Sequence, residues 1–560
     1  MRHTLLVLLL SVLLYGTPLR LVGNTHLASR ELYDVLGLHL PYTLEVWRDH
    51  PTMETALVSQ SITALESYYR AKGYFQAKVT MTSTDKEILF TIAEGEPIIV
   101  SDIAINSPLD IELDILLHPN DLFTQEKFAT SKTKIKKRFH DAGYCNSTFN
   151  TKAWVDLQEH KAHLVFEATP HQRCTFGTIL VQSTPNLEGT LVTSLLHIKE
   201  GEPYSPTMIQ KSYEALYAQE AVGKVSLNDT QREGSVVPLI VTVEEGEKPI
   251  RFTLGLGVSS DQGFGGQLGL KHRNLLGNFR TLSLEGKFTQ IKQKASGLFS
   301  TPLNHHFLGY GEVGYSDEIM SGYRSKSVFE KITLKHLDTP QSVLLSLLFD
   351  EATTYDSTNT AVFPNSHLFI PSPMAEINID TRDHILEPTQ GNWINVKGQG
   401  SLRSSISDAT YFKTLLMGAH LQSWGEYTLA TRAQWGVLRT YDNQVPSAYR
   451  FYAGGMNSNR AYQYRQLGPK DINGNPIGFN SLVEGSVEFR FPLSDALRGV
   501  LFTDLTYGSD NYLPDYTLPY WGVGVGIRYR TPVGPIAVDL GVDPNDPRQY
   551  VLNFRIGELF

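Results

Sequence analysis

From residue 251 onward the chain reads as about sixteen short strands of alternating apolar and polar residues, separated by turn-rich loops. The alternation is clearest in Trp521-Gly-Val-Gly-Val-Gly-Ile-Arg-Tyr-Arg530. There Trp521, Val523, Val525, Ile527 and Tyr529 share one face, opposite three glycines and two arginines, because successive side chains of a strand point to opposite sides. The last segment, Tyr550-Val-Leu-Asn-Phe-Arg-Ile-Gly-Glu-Leu-Phe560, ends on the final aromatic residue. A ring of strands through a bilayer needs such a strand, since it must pair with the first and leave no edge in hydrocarbon. Residues 249–560 are therefore expected to form a 16-stranded antiparallel transmembrane β-barrel. Its seam is expected to join Phe252, Leu254 and Leu256 to Leu552, Phe554, Ile556 and Phe560.

A barrel hides its membrane character in composition, because lumen-facing and lipid-facing residues alternate. Hydrophobic residues make up 41% of the chain, which alone would suit a soluble protein. Parity is more telling. A charge facing lipid near mid-membrane costs about 2–4 kcal/mol. That assigns Val483, Val487, Phe489 and Phe491 outward and Glu484, Ser486, Glu488 and Arg490 to the lumen. The net charge of −9 argues against nucleic acid as a partner. The apolar run Leu5–Leu14, behind Arg2 and His3, is too short to span and reads as a signal peptide over residues 1–16. Export would bring Cys145 and Cys174 into an oxidising compartment, where they either bridge or stay as separate buried thiols.

The first half repeats itself. Ile88–Pro97, His163–Pro170 and Pro238–Glu247 are each a strand running into a turn, and Gly95, Pro170 and Gly246 lie 75 and 76 residues apart. Upstream of each is a helix leading into another strand, with Gly73 and Gly143 where a helix C-terminus wants a left-handed residue. The third copy has Glu220 there. Each unit opens with a strand, so the expectation is three β-α-α-β-β domains in series, over 17–96, 97–171 and 172–248.

A β-α-α-β-β unit with a Gly-Tyr-Phe helix exit (Gly73-Tyr-Phe75) and a closing Val-Glu-Glu-Gly turn (Val243–Gly246) resembles the polypeptide-transport-associated, or POTRA, domain. Ahead of a barrel, such domains mark the BamA/TamA superfamily of bacterial surface antigens. The resemblance implies an outer-membrane protein with its POTRA domains in the periplasm, acting on client outer-membrane proteins or autotransporters beside a TamB-like partner. It implies no catalytic residues, metal or cofactor. It also covers a long loop from Arg450 to Gly478, read as joining barrel strands 11 and 12, which is similar to the family's inward-folded sixth loop. The loop's tip, Asn459-Arg460-Ala461-Tyr462, keeps the arginine and aromatic, with Ala461 for the usual Gly and Asn459 for the usual aliphatic residue.

An arginine enclosed in a lumen must be paired, and its fork suits carboxylates. Glu488 on strand 12 and Asp504 on strand 13, beside Phe502, have the right parity. Val500–Tyr507 resembles the family's Phe-x-Asp-x-Gly strand, with Thr506 for Gly. The resemblance thus implies that Arg460, Tyr462, Glu488, Phe502 and Asp504 lock the loop inside the barrel. Asp380–Trp393 is similar to the hairpin between strands 8 and 9, its acids being turn residues. Insertion and folding of client barrels, through strand addition to the POTRA sheets and lateral opening of the seam, is the expected function. Phospholipid transport with the same partner, secretion of one dedicated partner, and a passive porin are the alternatives.

Overall fold

The computed structural model describes residues 17–42, 45, 48–84, 87–231, 234–338, 340–385, 388–441, 445–517, 519–531 and 534–556. The signal-peptide reading over 1–16 and the seam residue Phe560 lie outside them. The chain divides into two compact units. One runs to Thr178 and adds 198–210 and 229–239; the other comprises 179–197, 211–228 and everything from Ile240.

The first module is β1 (Thr17–Val22), α1 (Ser29–Val35), β2 (Thr52–Met53), α2 (Val58–Ala71), β3 (Lys78–Ser83) and β4 (Ile88–Ala93). Its sheet runs β2-β1-β4-β3, with β1 and β4 parallel. Alternate residues of β4, Ile88, Phe90 and Ile92, are buried under Leu32, Leu65 and Tyr69 from the two helices. Helix α2 ends at Gly73, whose φ is +101° and where a Cβ would meet the Phe123 carbonyl oxygen at 2.3 Å. Only glycine fits. Glu94 is buried beside this core. Burial opposes its charge, but hydrogen bonds from Thr25, His26 and Tyr69 hold the carboxyl at about 2.

The second module is β5 (Ile99–Asn106), α3 (Gln125–Asp141), β6 (Thr148–Asp156) and β7 (Lys161–Thr169), in the order β5-β7-β6. Here the expected first helix is wrong: a three-residue 3-10 turn, Glu112–Asp114, stands in its place. Ile111 and Ile115 still bury their side chains against Phe139, so two apolar anchors do the packing work of a helix. Thr124 caps α3 by accepting from the Lys127 amide at 3.3 Å. Lys132, Lys134, Lys136, Lys137 and Arg138 form its exposed face. The third module, β8 (Thr175–Ser183), α4 (Gly189–Ser194), α5 (Pro206–Tyr217), β9 (Val222–Asn228) and β10 (Val236–Glu245), has the expected β-α-α-β-β order. Its sheet runs β8-β10-β9.

Sixteen strands follow and close into a barrel in sequence order. They are β11 (Ile250–Ser259), β12 (Gly263–His272), β13 (Thr281–Thr289), β14 (Lys292–Pro302), β15 (Phe307–Met320), β16 (Tyr323–Asp338), β17 (Gln341–Tyr355) and β18 (Ser366–Asp380). The second half is β19 (Gly391–Ser401), β20 (Tyr411–Trp424), β21 (Tyr427–Thr440), β22 (Ser481–Pro492), β23 (Leu497–Ser509), β24 (Tyr520–Thr531), β25 (Gly534–Asp543) and β26 (Asp546–Ile556). Parity holds as expected: Val487 and Phe489 are exposed on the outer face, whereas Glu484, Ser486 and Glu488 are buried inside. In the β18–β19 hairpin Asp383 accepts from the Thr389 and Gln390 amides at 2.8 and 3.1 Å, so this acid is a turn residue.

The first and last barrel strands meet at the seam, as expected. β11 and β12 pair over ten residues, while among the described residues β11 and β26 pair at Val258↔Ile556 and Ser259↔Arg555. One further contact extends the pairing, the Ser260 amide donating to the Phe554 carbonyl at 2.9 Å. In that register Leu552 lies beyond the end of β11, and Phe252, Leu254 and Leu256 have no partner among the described residues of β26. Of the expected seam residues, Ile556 and the Phe554 backbone take part. Alternation fixes which face a residue occupies, but register is fixed by which backbone groups meet, and that is not written in the alternation.

Candidate functional site

The long loop does join barrel strands 11 and 12, here β21 and β22, and it folds into the lumen. Gly454 (φ +102°) and Gly455 (φ +97°) begin the turn; a Cβ on Gly454 would meet the Gln463 carbonyl oxygen at 2.3 Å. The chain then delivers Arg460, 3% exposed, to the inner wall formed by β22, β23 and β25.

The guanidinium is fully partnered. Its Nε and Nη2 donate to the two oxygens of Asp504, each at 2.9 Å, and the Arg460 amide donates to the same carboxylate at 3.0 Å. Nη1 donates to Glu488 at 2.7 Å and lies 3.5 Å from Asp539, while Nη2 reaches Ser486 at 3.2 Å. The Phe502 ring lies under the guanidinium, 3.5 Å from its carbon to the ring centroid. Charge is balanced around it: Arg490 donates to Glu488 at 2.7 Å, and Arg528 clasps Asp539 at 2.5 and 2.9 Å. Three arginines thus face three carboxylates, the pairing that makes enclosed charge tolerable.

Four of the five expected lock residues therefore meet: Arg460, Glu488, Phe502 and Asp504. Tyr462 goes elsewhere, its hydroxyl donating to Asp543 at 2.6 Å. The two departures at the tip have local compensations. Ala461 does not need a positive φ, and its methyl sits over Gly522, where an added Cβ would approach it at 2.9 Å. The Asn459 amide donates to the Tyr520 carbonyl at 2.9 Å and reaches the Thr506 hydroxyl at 3.4 Å. Thr506 in turn donates to the buried Glu484 at 3.0 Å.

Sequence reading missed Asp539, Arg528 and the polar residues of the last strand. Asn553 donates to the Arg460 carbonyl at 2.8 Å and Gln549 to the Ala461 carbonyl at 3.1 Å, both from β26. On the other side of the seam, Asp261 in the β11–β12 turn accepts from the Met456 amide at 3.1 Å. The loop thus holds β26 on one side of the seam and the β11–β12 turn on the other. The signal for Asp539 was available: it is an acid on the inner face of Ile536–Val542, a stretch otherwise apolar.

Repeated α+β modules, a closed barrel and a lumen arginine lock define a class: POTRA-plus-barrel membrane proteins. Residues 18–95 match a POTRA model, the surface antigen variable number repeat, and residues 372–560 match the Omp85 superfamily domain. The chain is 23% identical to the outer membrane protein assembly factor BamA of Nitratidesulfovibrio vulgaris, over 98% of this chain and 73% of that one. Against BamA of Neisseria meningitidis serogroup B the identity is 21%, over 80% of this chain and 62% of the relative. The fold is similar to the crystal structure of BamA from Haemophilus ducreyi lacking POTRA domains 1–3, with TM-score 0.61 and 18% identity over 82% of this chain and all of that one. These likenesses support the BamA/Omp85 superfamily. That combination of barrel and modules fits the bacterial outer membrane, with the modules in the periplasm.

Proposed function

We propose that the protein is a non-catalytic outer-membrane assembly factor that inserts and folds client β-barrels or autotransporters. The observation that carries this reading is the short seam. Among the described residues two pairs join β11 to β26, where the barrel's other neighbouring strands pair over seven to fifteen. In this reading so short a joint parts readily, and the β11 edge it frees offers its backbone groups to an incoming strand, which is how an exposed edge templates another chain. The outer face beside it, lined by Phe252, Leu254, Leu268 and Leu284, is a shallow apolar hollow suited to a client strand emerging into lipid. In this reading the edges of the module sheets hold clients in extended form, and the Arg460 lock fixes the loop that braces the seam.

Three modules ahead of one barrel support a TamA-type member of the superfamily, the outer-membrane subunit of a translocation and assembly module with a TamB-like partner. Secretion of a single dedicated partner goes more usually with two modules. In phospholipid vesicles, the full-length protein is expected to speed membrane insertion of an unfolded autotransporter barrel, read by protease protection. A rate equal to that of empty vesicles would overturn the proposal. Normal client assembly in depleted cells with altered outer-membrane lipid content would favour phospholipid transport instead.

A further inference from the structure

Four histidines gather where the third module meets the turns at the module end of the barrel, all within one compact unit. His197 follows α4, His305 and His306 form the β14–β15 turn, and His336 is on β16. Ring centroids are 4.6 Å apart for His197–His305, 4.0 Å for His305–His306 and 5.5 Å for the stacked His306–His336 pair. His305 donates through both its amide and its Nδ1 to the Ser194 carbonyl, at 3.1 and 2.9 Å. That bond fixes the His305 tautomer, since a carbonyl can only accept. The buried Nδ1 of His306 has no hydrogen-bond partner, so a proton placed there would have no acceptor.

Around them, module and barrel are joined by a few polar contacts. Asn278, in the β12–β13 turn, accepts from the Glu188 amide and donates to the Glu188 carboxylate, both at 2.9 Å, while Lys271 donates to Glu220 at 2.7 Å. We infer that the histidine cluster is a pH-responsive latch: uncharged it holds the third module against the barrel mouth, and protonated it lets the module go.

The charge arithmetic is simple. Imidazoles this close cannot all be charged without repelling one another, and separating the module from the turns takes His197 out of both its burial and its repulsion by His305 and His306. His197 titrates below its ordinary range because burial, then His305 and His306, then Lys211 disfavour its charged form, with Glu214 opposing them. Lys211 and Glu214 lie on α5 and carry opposite signs, which leaves the histidines themselves as the dominant charge. A group whose value is lower when docked makes docking weaker as pH falls through its free value, near 6.5. Each unit of lowering is about a tenfold loss of docking on full protonation.

The test is amide hydrogen exchange on the full-length protein in lipid nanodiscs, corrected for intrinsic exchange rates. Protection of residues 188–197 and 273–280 is expected to fall about tenfold or more from pH 7.5 to 5.5, while amides in mid-β16 hold steady. In His197→Asn/His306→Asn the fall is expected to shrink to about threefold or less. An unchanged wild type, or a double variant that falls equally, overturns the latch. Should the double variant already be released at pH 7.5, the wild-type histidine ring resonances decide. Midpoints coinciding with the loss of protection support the latch; midpoints more than about one unit away refute it.

Discussion

Replacing Arg460 by alanine is expected to leave a closed barrel that no longer assembles clients. The barrel ladder does not depend on this side chain, but Asp504, Glu488 and Asp539 do. Asp504 is 1% exposed, and without the guanidinium it becomes an enclosed carboxylate short of a counter-charge. Breaking a buried pair by removing one partner costs about 3–5 kcal/mol. Because Arg528 still holds Asp539, the cheapest relief is for the loop tip to leave the wall and admit water to Asp504. Chymotrypsin cleavage at Tyr462 and Tyr464 should therefore appear in Arg460→Ala while circular dichroism stays that of a barrel. Arg460→Lys should not restore the lock, since an ammonium cannot make the two-pronged contact to Asp504. Adding Asp504→Asn should recover stability but not the loop's position. A tip that stays protected and clients that assemble normally would remove Arg460 from the account.

The second large effect is expected at Cys145–Cys174, which the sequence left open and the structure shows as a disulfide across 29 residues of chain. It ties the α3–β6 connection of the second module to the start of the third. The Cys174 amide donates to the Gly143 carbonyl at 2.7 Å, and Asp141 accepts from Ser205 at 2.5 Å and from the Thr207 hydroxyl at 2.6 Å. Closing a loop of that length restricts the unfolded chain by about 3–4 kcal/mol. Cys145→Ser should therefore expose the junction to trypsin at Arg173 in low urea, where the parent is spared. Both cores should survive, since their buried residues lie elsewhere. Equal cleavage rates in the two proteins would show that the hydrogen bonds alone hold the junction.

What could be read in the sequence was whatever parity or chemistry decides. Val487 and Phe489 had to face lipid and Glu488 the lumen, because the opposite assignment is costly in hydrocarbon. Arg460 needed carboxylates, and Glu488 and Asp504 were the acids of right parity nearby. Asn553 and Gln549 escaped notice because amides carry no charge that demands a partner, and their role depends on where the loop tip lands. The second module's missing helix escaped for a similar reason: Ile111 and Ile115 keep helical spacing, although a single 3-10 turn suffices to bury them. The meeting of the first and last barrel strands was legible, but its register was not. Leu254 and Leu552 share an outward face, yet their backbones do not meet.

The claim that the seam opens is tested most directly by locking it where the strands do meet. Ser259→Cys with Arg555→Cys places a cysteine on each side of an observed pair, and the native cysteines are already bonded to each other. Oxidised, the locked protein should fail to insert an autotransporter barrel into vesicles; reduced, it should match the parent treated with the same reductant. A locked barrel that works as fast as the parent would contradict lateral opening outright.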